Sequence, residues 1–172
     1  MSPSPDPKAV PDFDQLYAEH GQRIYRFCFH MAGNRQDAED LTQETFLALM
    51  AGWRRFRNES KLSTWLYQIA HRKARRLRRA RTLAELFRPE TRSTTPSDSR
   101  LDFERAIAGL SPINREAFLL VKVEGLTVPE TAAILGAPEG TVKFRVFQAV
   151  KRLRARLYDA YQPPQKQVTH EL

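Results

Sequence analysis

The sequence predicts an all-α fold: two small helical domains joined by a flexible linker, the C-terminal one containing a helix-turn-helix. Three observations lead there. Apolar residues recur at spacings of three and four almost throughout, and strand signals are scarce. This periodicity fades between Leu83 and Ser99, where RPETRSTTPSDS combines two prolines with Ser, Thr and charge. The segment Leu126–Leu157, LTVPETAAILGAPEGTVKFRVFQAVKRLRARL, reads as a short capped helix, a sharp turn and a long amphipathic helix.

Each element has its own warrant. MSPSPDPKAVPD lacks the apolar centre of a signal peptide and reads as a disordered lead-in over residues 1–12. Phe13, Leu16, Tyr17, Ile24, Phe27, Cys28 and Met31 share one face of a first helix, which Gly33-Asn34 stops. A second helix runs from Gln36 to Trp53 with Leu41, Thr45, Phe46, Leu49 and Met50 inward. Gly52 and Arg57-Asn58-Glu59-Ser60 mark a loop. A third helix follows from Lys61 to Arg81, burying Leu62, Trp65, Leu66, Ile69 and Ala70. These three helices make a domain over 13–82, followed by a linker over 83–100. The second domain, 101–160, opens with a helix at Leu101–Ala108. Ser111-Pro112 then caps a helix reaching Glu124, which Gly125 closes in the left-handed region. Thr127 and Glu130 have capping-box spacing. Ala132, Gly136 and Val142 fall where a helix-turn-helix needs a small residue, a left-handed turn and a packing contact. Val146, Val150, Leu153 and Leu157 continue the inner stripe; Lys143, Phe147, Lys151 and Arg154 line another strip. Residues 161–172 are a tail.

Charge divides the chain differently. The net charge of +8 conceals an acidic first part, with 4 Lys/Arg against 8 Asp/Glu in residues 1–53. Residues 54–92 carry 13 against 3, and residues 93–172 carry 11 against 9. Acidic and basic blocks imply two surfaces for two partners, the second of them a polyanion. Asp37, Asp40 and Glu44 share one side of the second helix, flanked by Glu39 and Gln43. That row reads either as a solvated face or as a surface for a basic partner helix. No nucleophile, histidine or metal set accompanies it, so catalysis, a metal and a cofactor are not expected. Arg72, Lys73, Arg75, Arg76, Arg78, Arg79 and Arg81 crowd the third helix, and Trp53, Phe56, Trp65 and Tyr67 stand upstream. Cations beside aromatics suit single-stranded nucleic acid, one class holding phosphates and the other stacking bases. The helix-turn-helix, offering cations and an aromatic outward, suits a DNA major groove. Cys28 is expected to be a buried inert thiol. No run approaches the roughly 20 apolar residues of a membrane span, so a cytoplasmic protein without membrane insertion is expected.

Taken together, DAEDLTQETF, FRNESKLSTWLYQIA and LTVPETAAILGAPEGTVKFRVFQAVKRLR, in this order, resemble the extracytoplasmic-function group of bacterial sigma factors. The resemblance covers about Phe13–Arg81 and Leu101–Leu157. It implies a non-enzymatic factor that directs RNA polymerase core to promoters and promotes strand opening. On it, Asp37, Asp40, Leu41, Gln43, Glu44 and Phe46 dock on the polymerase clamp. Asn58, Glu59, Ser60, Lys61 and Leu62 form a pocket for a base flipped from the minus-ten strand, supported by Trp65 and joined by Arg72, Lys73 and Arg76. Thr141, Lys143, Phe144, Arg145, Phe147 and Lys151 meet the minus-thirty-five duplex, and the second domain binds the polymerase flap. An anti-sigma protein is a further implied partner. His71-Arg72 stand where many relatives carry asparagine, Leu62 replaces a common aromatic, and Phe144 and Gln148 replace serine and arginine. Phe144 either meets a thymine methyl or packs on the neighbouring helix. A polymerase-independent helix-turn-helix regulator, or a sigma mimic titrating an anti-sigma protein, are the alternatives.

Overall fold

The structure, a computed structural model, describes residues 12–56, 60–87 and 99–160. The lead-in to residue 11, Asn58 and Glu59 of the loop, the central linker at 88–98 and the tail lie outside the described residues. Within them the elements are α1 (Phe13–Ala32), α2 (Arg35–Gly52), α3 (Leu62–Phe87), α4 (Ser99–Ala108), α5 (Pro112–Phe118), α6 (Val128–Leu135) and α7 (Glu139–Ala160). A 3-10 turn, Trp53–Arg55, follows α2, and a π-helical turn, Leu119–Val123, follows α5.

Local chemistry sets these ends. Asp12 starts α1 by accepting from the Asp14 N–H at 3.1 Å. Gly33, at φ 79°, ends it with its N–H on the Phe29 carbonyl at 2.8 Å. Asn34 then caps α2 by accepting from the Asp37 N–H at 3.0 Å. The helix predicted at 61–81 runs on to Phe87, and α4 begins at Ser99, so both intrude on the expected 83–100 linker. Thr82, Leu83 and Ala84 are compatible with helix, and the breakers begin only at Pro89. The helix expected to reach Glu124 is α only to Phe118. The π turn then widens it, with the Glu124 N–H on the Leu119 carbonyl at 2.8 Å. Ser111 makes no side-chain cap bond. Its carbonyl accepts from Asn114 and Arg115, and Pro112 has no N–H to satisfy.

α1, α2 and α3 pack around Ile24, Phe27, Cys28, Ala38, Leu41, Phe46, Leu49, Leu66 and Ala70, all essentially sealed from solvent. Two threonines enter this apolar interior without penalty, because Thr42 and Thr45 donate to the Ala38 and Leu41 carbonyls at 2.6 Å. Burial pushes the Cys28 thiol up to about 12, against a smaller lowering by its Thr42 hydrogen bond, so it stays protonated and inert as expected. Ile107, Leu119, Leu120, Val142, Ala149 and Leu153 form the corresponding interior of the second unit. Trp65 and Leu62 are only half-buried, and Leu157, expected on the inner stripe, is exposed. The units also pack on each other, α3 against α6 and α1 against α4.

Candidate nucleic-acid and protein interfaces

The helix-turn-helix is built as its sequence predicts. Thr127 Oγ1 accepts from the Glu130 N–H at 3.3 Å, and the Glu130 carboxylate accepts from the Thr127 N–H at 2.8 Å. The Thr127 hydroxyl also donates to that carboxylate at 2.7 Å, and this bond first, with the Thr127 N–H next, holds the Glu130 carboxyl down at about 2. Gly136 turns the chain at φ 60°, ψ 42°, where a Cβ would be strained. Val142, Val146, Ala149 and Leu153 anchor α7 inward. This leaves Lys143, Phe144, Phe147 and Lys151 in solvent, with Thr141, Arg145 and Gln148 half-buried beside them. Phe144 is 60% and Phe147 62% exposed, so the packed alternative for Phe144 is not the one adopted. Two bare aromatic rings among cations make a surface that can meet phosphates and thymine methyls together.

The basic helix is less open than its sequence implies. Arg72, Arg75, Arg76 and Arg79 are exposed, but three other cations have internal counter-ions. Lys73 meets Glu44 at 2.8 Å, Arg78 meets Glu116 at 2.6 Å, and Arg81 pairs with Asp37. Like-charge repulsion along α3 is therefore relieved partly by the chain itself, not by a polyanion alone. Trp53, Phe56 and Trp65 engage one another, Phe56 and Trp65 stacking at 4.7 Å with planes 10° apart. Gly52 permits this, since a Cβ there would come within 3.2 Å of the Trp65 indole. Tyr67, expected among the base-stacking aromatics, is instead buried, its ring edge-on to Phe27 at 5.5 Å. Ser60 is exposed, and Lys61 reaches Glu130 at 3.1 Å.

On α2 the acidic row divides. Asp40, Gln43 and Glu44 face solvent, while Asp37 is tied to Asn34 and Arg81. Leu41 and Phe46, expected to touch the clamp, are core residues at 5% and 0% exposure. Both lie on the inner stripe of α2 with Ala38, Thr42, Thr45 and Leu49, so their side chains face the interior of the three-helix unit. Sequence reasoning missed Leu47, 58% exposed beside Gln43 and Glu44, and the Phe13–Tyr17 stack beside Phe46. A leucine one turn after Glu44 and off the inner stripe of α2 was the available signal. It also missed the buried polar contacts of Tyr67, His71, Glu116 and Glu124, which join residues far apart in sequence. Among the described residues no group of three or more His, Cys, Asp or Glu side chains could hold a metal ion, and no helix is long and apolar enough to cross a membrane.

Known proteins carry the same two parts. Residues 16–83 match Sigma-70 region 2, and residues 100–153 match Sigma-70, region 4. The chain is 33% identical over 162 residues to the ECF RNA polymerase sigma factor SigE of Mycolicibacterium smegmatis, spanning 87% of this chain and 63% of that protein. The chain thus spans less than two thirds of that relative's length. It is 32% identical over 151 residues to the ECF RNA polymerase sigma factor SigM of Mycobacterium tuberculosis, covering 84% of this chain and 76% of SigM. A co-crystal structure of the sigma factor RpoE with the anti-sigma factor NepR from Bartonella quintana superposes with TM-score 0.77 at 28% identity, covering 86% of this chain and 97% of that one. With both regions matched in order, and the helix-turn-helix and acidic helix built as described, this chain belongs to the ECF RNA polymerase sigma factors.

Proposed function

We propose that this chain directs RNA polymerase core to specific promoters and promotes strand opening there, binding DNA without catalysing a reaction and without a cofactor. One observation carries the reading. A cationic, aromatic recognition helix and an acidic, leucine-bearing helix are both exposed, on different domains of one chain. A DNA-only regulator has no use for the second surface. Asp40, Gln43, Glu44 and Leu47 are assigned to the basic clamp of the polymerase, where charge steers the encounter and the leucine supplies apolar contact. The second domain is assigned to the flap and to the minus-thirty-five duplex. There Lys143, Phe144, Phe147 and Lys151 enter the groove, with Thr141 and Arg145 near phosphate. Arg72, Lys73, Arg76 and the loop from Asn58 to Leu62, braced by Trp65, are assigned to the minus-ten strand. Capturing an extruded base there offsets the few kcal/mol that extrusion costs.

The functional domains are taken as 13–82 and 101–160, and the place of action as the cytoplasm, where polymerase meets DNA. The RpoE–NepR complex supports an anti-sigma protein as a further partner of this chain. The experiment is run-off transcription with purified polymerase core on a genomic promoter library, comparing the wild type with Asp40→Ala/Glu44→Ala. Specific start sites that weaken in the variant, together with reduced core binding, are expected. Promoter binding with no affinity for core in either protein would overturn the proposal.

A further inference from the structure

The outward face of α7 holds the two most exposed large apolar side chains among the described residues, Phe144 and Phe147. Val142, Val146, Ala149 and Leu153 fill the inner stripe, which fixes the face opposite. At 3.6 residues per turn, Gly140, Phe147 and Lys151 fall along the middle of that outward face. Phe144 stands on one side of this line and Lys143 on the other. Single exposed apolar residues are ordinary, but two rings one turn apart make a patch, and a patch marks a contact surface. The charges around it point to the occupant. Lys143, Lys151, Arg152 and Arg154 are exposed on the same helix. Among the described residues none of the four meets a carboxylate, unlike Lys73, Arg78 and Arg81 on α3. A polyanion with apolar features is the complement, and the second helix of a helix-turn-helix is shaped for a duplex groove.

A major groove offers one apolar feature at its base edges, the C5-methyl of thymine; the other edges present donors and acceptors. A phenylalanine ring cannot pair with guanine N7 and O6 or with cytosine N4, so covering a G·C pair would leave those groups dry and unpaired. Arginine, the usual reader of guanine, is missing from the centre of this face. Arg145 is half-buried at its edge, and Arg152 and Arg154 lie beyond Lys151. Gln148, half-buried one turn after Phe144, is the one side-chain amide of α7, and an amide pairs with adenine. Rings and amide therefore select the same base pair from its two partners. Gly140 adds room. A Cβ there would meet nothing of the chain within 4 Å, so internal packing does not require glycine, and its bare backbone lets a groove floor come close.

We propose that Phe144 and Phe147 are the specificity-determining residues of α7, and that they read the C5-methyl groups of thymines in two neighbouring A·T pairs. Three residues of helix rise about 4.5 Å, against about 3.4 Å for one base step. One ring therefore serves one pair and the second ring its neighbour. Lys143 and Lys151 hold phosphates on either side, where they add affinity without sequence information. The thymine reading rests on the promoter reading only in taking α7 into a duplex groove; it needs no polymerase.

Duplexes selected by the full chain from a random pool, with polymerase core and without it, supply the site for the test. The selected sites should contain two adjacent A·T pairs. Replacing a thymine there by uracil removes the methyl and keeps every hydrogen bond. Wild-type binding should then weaken about fourfold for one methyl and about fifteenfold for both. In Phe144→Ala one of the two uracil effects should vanish and in Phe147→Ala the other, whereas Phe144→Leu/Phe147→Leu should keep part of each. Exchanging an A·T pair for G·C should cost more than uracil does, and 5-methylcytosine in place of that cytosine should recover about fourfold. Equal affinity for thymine and uracil duplexes, uracil effects that survive Phe144→Ala/Phe147→Ala, or selection of no duplex at all would each overturn the thymine reading. Run-off transcription with core separates the two ideas. Specific start sites whose upstream element is indifferent to uracil refute the thymine reading and leave the promoter reading standing. Uracil-sensitive binding by a chain that starts no transcript does the reverse.

Discussion

Replacing Phe147 by alanine should weaken binding to the minus-thirty-five duplex by about tenfold without changing its salt dependence. The size follows from exposure. A phenylalanine buries roughly 150–250 Å² when fully covered, and Phe147 is 62% exposed. About 120 Å² of ring is then free to be covered, worth up to ~3 kcal/mol at about 25 cal/mol per Å². A groove covering roughly half of it yields ~1.5 kcal/mol, about a factor of ten in Kd. Lys143→Ala should behave differently. It removes a phosphate neutralised on binding, so the slope of log K against log salt should fall by about 0.9. Fluorescence anisotropy of the holoenzyme on a labelled promoter fragment, titrated at several salt concentrations, measures affinity and slope together. The fragment is taken from the run-off screen. An unchanged Kd for Phe147→Ala, or a slope that falls as it does for Lys143→Ala, would refute the assignment of the ring to base edges.

Four other substitutions probe the scaffold and the acidic face. Phe46→Ala empties a sealed position between α1 and α2 and should cost about 3–5 kcal/mol in urea denaturation, whereas Asp40→Ala should stay within roughly 0.5 kcal/mol while weakening core pull-down. Thr127→Ala removes the hydroxyl that the Glu130 N–H donates to and should cost ~1 kcal/mol by thermal melting. Glu130 has its carboxyl held at about 2 against an ordinary 4.5, so it stabilises the folded state above pH 4.5 and loses that contribution as pH falls toward 2. The Tm gap between wild type and Glu130→Gln should therefore be full at pH 6 and close progressively below pH 4.5. A gap that is constant down to pH 2.5 would contradict the capping geometry.

Local signals were legible because their causes are local. The Thr127–Glu130 box, the Gly136 turn and the Val142 anchor each involve residues a few positions apart, and all took the expected form. The outward strip of α7 followed, since fixing one face of a helix fixes the other. Helix type was less legible at Leu119–Val123, because nothing in LLVKV distinguishes an α turn from a π turn until tertiary packing decides it. Leu41 and Phe46 show the limit of carrying over a motif: a run such as DAEDLTQETF is carried over as a whole helix, while periodicity sends half its side chains to the core. Arg23–Glu124 and Arg78–Glu116 were invisible for another reason. Their separations of 101 and 38 residues carry no periodic signature, and in composition the glutamates merely brought the second half close to neutrality.

The three internal counter-ions of α3 are unequal, and their inequality decides what the chain can couple. Lys73–Glu44 links the acidic helix to the basic one, so a polymerase that took the Glu44 carboxylate would free Lys73 for DNA. Glu44 is 58% exposed in its side chain, however, and an exposed pair is worth about 0–1 kcal/mol. That bounds the coupling at roughly fivefold in affinity. Glu116 is 6% exposed in its side chain and holds two partners, and breaking a buried pair by removing one side costs about 3–5 kcal/mol. Separating the domains intact costs less, because water then solvates both ions. Loss of either partner of Glu116 should therefore cost the folded chain more than loss of the exposed Lys73–Glu44 pair.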